Sequence, residues 1–218
     1  REKLVPSREW EYLKVPGDLL QLNDDGQYQI QLTEELWEAA YFDKVELIAI
    51  DHPSEVEIYT NEKVGPPFIS QYQVHAVQNR LTPRSAIGTQ GQDVLEQVFQ
   101  ADDVYYQGFQ NRVVQGLVDE HWLELDLGDL SEAKQVTLFL TGWIHPTDTS
   151  LNVSFTDHPD RNSPRLPELW VVNEQGQWHR WDAPIGFPGG KTKTIAIDLS
   201  ELCPRPDGRL RIVTTAEI

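Results

Sequence analysis

Methionine is absent and cysteine occurs once, at Cys203. A single thiol cannot form an intrachain disulfide, and it rules out zinc or iron–sulfur centres built on clustered cysteines. Basic residues are outnumbered: 18 Lys plus Arg stand against 35 Asp plus Glu, a formal charge of −17. That balance argues against nucleic acid as a partner, because phosphate neutralisation needs a basic face. Apolar runs stay well below the ~20 residues that a membrane-crossing helix requires, so no transmembrane segment is expected. The chain also lacks a Gly-x-Ser-x-Gly elbow, a His-Glu-x-x-His pair and a phosphate-binding glycine loop. A hydrolase domain therefore stands only as a third reading, without a catalytic constellation.

What is present is alternation. Short apolar runs separated by Gly, Pro, Asn and Asp dominate, and 14 Gly with 14 Pro supply the punctuation. This is the signature of an all-β protein. Strands are expected at 28–32, 45–50, 56–60, 72–77, 122–127, 135–141, 151–155, 169–173, 177–181, 194–199 and 210–214, with short pieces near Ile87 and at 104–106. Turns at Asn23-Asp24-Asp25-Gly26, Asn173-Glu174-Gln175-Gly176 and Pro206-Asp207-Gly208 place glycine where a positive φ costs least. The 171–181 stretch is the clearest hairpin. Short helices are expected only at 33–40 and 94–100.

Rhythm changes along the chain. An N-terminal β-rich lobe is expected over 1–82, an irregular connecting segment over 83–116, and a jelly-roll-like β-sandwich over 117–218. Trp122–Leu130 and Thr194–Leu202 share a pattern, a strand ending in Asp-Leu followed by a polar turn and a further Leu. Such a corner suits strands re-entering a sheet. The chain starts at Arg1 without a signal-like apolar stretch, and 209–218 reads as a strand with no closing turn. A piece of a longer polypeptide is expected.

Several side-chain groups suggest chemistry. The loop Gly142-Trp143-Ile144-His145-Pro146-Thr147-Asp148 puts an indole, an imidazole and a carboxylate between two strands. Trp143, His145 and Asp148, joined by Trp178, are candidates for a sugar-stacking site; the structural alternative is that Trp143 plugs a sheet end and His145 starts a turn. Trp178 and Trp181 are three apart, so they face opposite sides of a strand, one of them into the core. Asp157 and Asp160 sit in a polar stretch whose oxygens suit calcium, although no EF-hand pattern is present and a hard cation needs ~6–8 oxygens; otherwise no cofactor is expected. Lys191 and Lys193, after Gly186-Phe187-Pro188-Gly189-Gly190, offer an anion or partner contact on an acidic protein, or are solvated parts of a tight connection. Cys203 reads as a small buried hydrophobe.

Four stretches carry a resemblance: LTEELWEAAYFDKVELIAIDHPSEVEIYTNEKVGPP (32–67), DEHWLELDLG (119–128), VTLFLTGWIHPTDTSLNV (136–153) and GFPGGKTKTIAIDLSEL (186–202). They resemble the C-terminal region of bacterial FG-GAP-repeat proteins of the ASPIC/UnbV or cartilage-acidic-protein-like type. There, the strand matching 211–218 is followed by a Tyr-Trp-Asp segment absent here. The resemblance implies a large extracytoplasmic protein in which a β-propeller precedes this region, with no defined activity. Trp122–Gly128 followed by Val136-Thr137 is also similar to a strand pair of discoidin and other galactose-binding-like jelly rolls, whose loops bind sugars or lipid headgroups. The expected role is a non-catalytic structural or interaction module whose partners are other domains of the same polypeptide or a larger assembly. The alternative is a carbohydrate-binding module with glycans as ligand.

Overall fold

A computed structural model of the chain describes residues 14–32, 44–64, 73–78, 80–100, 102–158, 163–189 and 192–218. Its strands, in chain order, are β1 (Val56–Thr60), β2 (Lys63–Val64), β3 (Val74–Gln78), β4 (Ser85–Gly88), β5 (Arg112–Val114), β6 (Leu117–Asp126), β7 (Thr137–Gly142), β8 (Glu168–Val172), β9 (Trp178–Arg180), β10 (Phe187–Pro188), β11 (Lys193–Asp198) and β12 (Arg209–Ala216). Two α-helices are described, α1 (Leu95–Val98) and α2 (Thr149–Asp157). All strand pairs between these elements are antiparallel, so the all-β expectation holds. Among the described residues no helix is long and apolar enough to cross a membrane.

The largest sheet runs β4-β6-β12-β8-β9, with β5 added to β6. Its register follows from period-two burial. Leu125, Leu210 and Val171 stand opposite one another, as do Leu123, Ile212 and Leu169. Leu125, Leu169, Val171 and Leu210 are fully buried in one cluster with Ala86. Against that face lies the β7–β11 pair, which contributes buried Ile195 and Ile197 and half-buried Leu138 and Leu140. The other side of β7 and β11 meets β1 and β3: Tyr59 stacks on Phe139 at 4.4 Å, and His75 approaches the same ring edge-on at 5.3 Å. Asn61 and Glu62 then accept the outward N–H groups of Ala196 and Thr194, closing the free edge of β11.

The stretch expected to be an irregular connector contributes β4, α1 and β5, and β4 and β5 both pair with β6. Its 104–106 piece forms no strand, although 94–100 does contain α1. The hairpin over 171–181 is present as β8 and β9. Asn173 Oδ1 accepts from Gln175 and Gln177 N–H at 3.0 and 2.8 Å, and Gly176 has φ +76°. The shared corner pattern is also real. Asp126 Oδ1 accepts from Gly128 N–H and Asp198 Oδ1 from Ser200 N–H, the same side-chain-to-backbone bond at both sites.

Three further strand expectations fail. The 151–155 stretch is the interior of α2, capped by Asp148, whose carboxylate accepts from Leu151 N–H at 2.8 Å. Leu151 and Phe155 are half-buried while Val153 between them is 54% exposed. That is the i, i+4 phase of a helix, and a Leu-x-Val-x-Phe alternation cannot be told from it over so short a run. The 28–32 stretch makes only a single bridge, from Tyr28 to Leu22, and 45–50 joins no sheet. Ile30, Leu32, Val45, Leu47, Ile48 and Ile50 are exposed. Alternation makes a strand only where another strand supplies hydrogen bonds, and no described residue does so here. The helix expected at 33–40 lies outside the described residues.

Candidate functional site

Opposite the core, the six-stranded sheet turns a second face outward. Cross-strand register puts Glu124, Arg211, Trp170 and Arg180 in one row over β6, β12, β8 and β9. A flanking row holds Trp122, Val213 and Glu168; the other holds Asp126 with Arg209, and Val172 with Trp178. The Arg211 guanidinium lies between two indoles, 4.2 Å from the ring centroids of both Trp122 and Trp178. Its Nε donates to Glu124 Oε2 at 2.8 Å. Arginine suits this slot because its planar cation can stack on both sides while its edge still donates.

Around this centre the charges are paired. Arg180 reaches Glu168 at 3.2 Å and Asp182 at 3.5 Å, and Arg165 reaches Glu120 at 2.6 Å. Trp170 Nε1 is shielded from solvent and has no hydrogen-bond partner. The result is a half-buried surface of three indoles and alternating charge. Trp181, three residues beyond Trp178, packs instead against the core cluster, as the odd spacing requires.

The other candidates fall elsewhere. Trp143 is 46% exposed and meets His145 edge-on at 5.5 Å. His145 N–H donates to Glu217 O at 2.8 Å, just past the end of β12. Trp178 lies near the opposite end of that strand, beside Val172 and level with Arg209. At ~3.3 Å per residue the two places are on the order of 25 Å apart, so Trp143 and His145 form no common site with Trp178. Asp148 is committed to capping α2, and Asp157 ends that helix instead of lying in a polar turn. Asp160 and Lys191 lie outside the described residues. Lys193 is half-buried in β11 opposite Gly142, so the segment before it is more than a connection: its Phe187–Pro188 forms β10 against β2. Among the described residues no three His, Cys, Asp or Glu side chains are grouped to hold a metal. Burial pushes the Cys203 thiol up, which keeps it protonated and poorly nucleophilic.

His121 is the buried titratable group of the sheet. It faces Thr214 across β6 and β12, its Nδ1 lies 3.1 Å from Asp119 O, its ring meets Phe109 edge-on at 5.7 Å, and Nε2 is buried without a partner. Burial holds its pKa below the usual imidazole value, against the opposing pull of Asp119 and Glu120. The unfolded chain therefore binds a proton that the folded chain refuses. The stability contribution is complete above about pH 6.5 and is lost as the pH falls from there through the depressed folded value. Urea titrations of the wild type and His121→Gln at descending pH should show a smaller acid-side loss in the variant. Equal losses would mean that the ring is hydrated.

Sequence reasoning found Trp178 but missed Trp122, Trp170 and Arg211. The available signal was weak: Trp122 and Glu124 alternate within one strand, and Arg209 and Arg211 within another. Compared with protein-family models, curated proteins and solved structures, the chain matches none of them.

Proposed function

We propose that the chain is a non-catalytic interaction module, a galactose-binding-like jelly-roll sandwich within a larger exported bacterial polypeptide. Its partners are other domains of that polypeptide. The observation that carries this reading is the outward face of the large sheet, where Arg211 is held between Trp122 and Trp178 with Trp170 alongside. Trp and Arg are the residue types on which contact energies concentrate, because Trp covers a large area with only two rotatable bonds and Arg offers a planar cation that both stacks and donates. A rigid sheet also holds these side chains in place before contact, which lowers the cost of association. The export and bacterial origin rest on the resemblance of 32–67, 119–128, 136–153 and 186–202 to the FG-GAP-repeat proteins.

Oxidative footprinting tests the reading. In the complete polypeptide, oxidation of Trp122, Trp170 and Trp178 should fall several-fold relative to the isolated chain, with Trp181 unchanged. Equal labelling of all four in both forms would refute a domain contact on this face.

A second reading, glycan binding, is favoured by one observation: Trp143 offers an exposed ring beside His145. An indole face stacked on a pyranose is worth retaining only if binding saturates on a glycan array and is lost in Trp143→Ala but kept in Trp178→Ala. Absence of array binding disposes of it.

A further inference from the structure

The edge of the β7–β11 pair carries an inference independent of the tryptophan face. In an antiparallel pair, alternate residues direct both backbone groups toward the partner and the residues between direct theirs away. Leu199 N–H donates to Val136 O, which fixes the phase: 136, 138, 140 and 142 face β11. Thr137, Phe139 and Thr141 therefore present N–H and C=O on the far edge. On β11 the equivalent outward groups of Thr194 and Ala196 are closed by Glu62 and Asn61. No described residue closes those of β7.

Open edges are usually blunted by charge, proline or a bulge. β7 has none of these in Thr137–Gly142, and every residue of it is only partly buried. Leu138 and Leu140 point into the core and yet remain only partly buried, because the sheet stops beside them. A Cβ added at Gly142 itself would meet nothing within 4 Å.

The sequence of this edge also states what fits it. Thr137-Leu138-Phe139-Leu140-Thr141 reads the same in both directions. A two-fold interface must be self-complementary, each residue meeting its symmetry equivalent. With the axis at Phe139, a second β7 would put Thr137 opposite Thr141, Leu138 opposite Leu140 and Phe139 opposite itself. The three outward N–H and C=O sets would then all pair. We infer that β7 is a dimerisation edge, at which two copies of this chain join into a continuous β11-β7-β7-β11 sheet.

The pairing has a direct test. The wild-type chain should sediment as a concentration-dependent dimer across the micromolar range. Thr137→Lys combined with Thr141→Lys sets ammonium groups opposite each other at both ends of the pairing and should give monomers. In a Cys203→Ser background, Thr137→Cys with Thr141→Cys should form a covalent dimer on mild oxidation, since opposed strands bring such Cα atoms within disulfide reach while four residues along one strand do not. Should the lysine pair prevent folding, this cross-link decides alone. A wild-type chain that stays monomeric throughout, a dimer that the lysine pair leaves intact, or the absence of the covalent dimer would each overturn the inference.

Discussion

Leu169→Ala should lower the unfolding free energy by about 2–5 kcal/mol, the range for emptying a close-packed leucine site. Leu169 is 0% exposed and stands opposite Ile212 in the middle of the large sheet, inside the cluster that receives Ile195 and Ile197 from β11. Its carbonyl also accepts the N–H of Trp181, which fixes the chain just past the end of β9. The neighbourhood is held by backbone ladders on both sides and so collapses little around a cavity. Leu166→Ala is the control. Leu166 is 44% exposed three residues earlier, and its loss should stay within about 0.5 kcal/mol. Urea unfolding at equal slope measures both; comparable small losses would show that the two layers are not packed on Leu169.

Arg211→Ala is the second large effect, at roughly 2–4 kcal/mol. The substitution removes the cation from between two indoles and leaves Glu124, whose side chain is 19% exposed, facing a gap. The pair is not fully dry, since the Arg211 side chain keeps 28% exposure. Its loss should therefore fall short of that for a sealed ion pair and well exceed the ~0–1 kcal/mol of a surface bridge such as Arg180–Asp182. Arg211→Lys keeps the charge but cannot fill a planar slot, so an intermediate loss is expected. A double-mutant cycle with Trp178→Ala separates stacking from the Glu124 bond: a coupling near zero would place the guanidinium away from the indole.

Much of the architecture was legible because it is local. The β8–β9 hairpin follows from Asn173 and Gly176, whose turn chemistry acts within five residues. The opposite-facing Trp178 and Trp181 follow from strand parity alone. The helix at Thr149–Asp157 is hidden in the sequence because Leu151, Val153 and Phe155 satisfy a strand pattern, while the decisive signal is the capping carboxylate of Asp148. The exposed stretch at 45–50 shows the limit of alternation: it records what a segment is suited to, and pairing decides what it becomes. The candidate site was legible only at Trp178. Arg211 and Glu124 are 87 positions apart, and their contact exists because β12 enters the sheet between β6 and β8. Strand order and register are long-range facts that no window of sequence contains. For the same reason Trp143 and Trp178, both aromatic and both near turns, looked like one site and lie at opposite ends of β12.

The placement of Arg211 is the point on which the outward face stands. Selective ¹⁵N labelling of arginine reads it directly, because a guanidinium held over two indole faces lies in their combined ring current. The Arg211 Nε–H and its side-chain methylene signals should move clearly upfield of the other arginines, and should return toward ordinary positions in stages in Trp178→Ala and in the Trp122→Ala, Trp178→Ala double variant. Arginine signals that all fall in the usual range, unchanged by either variant, would contradict it.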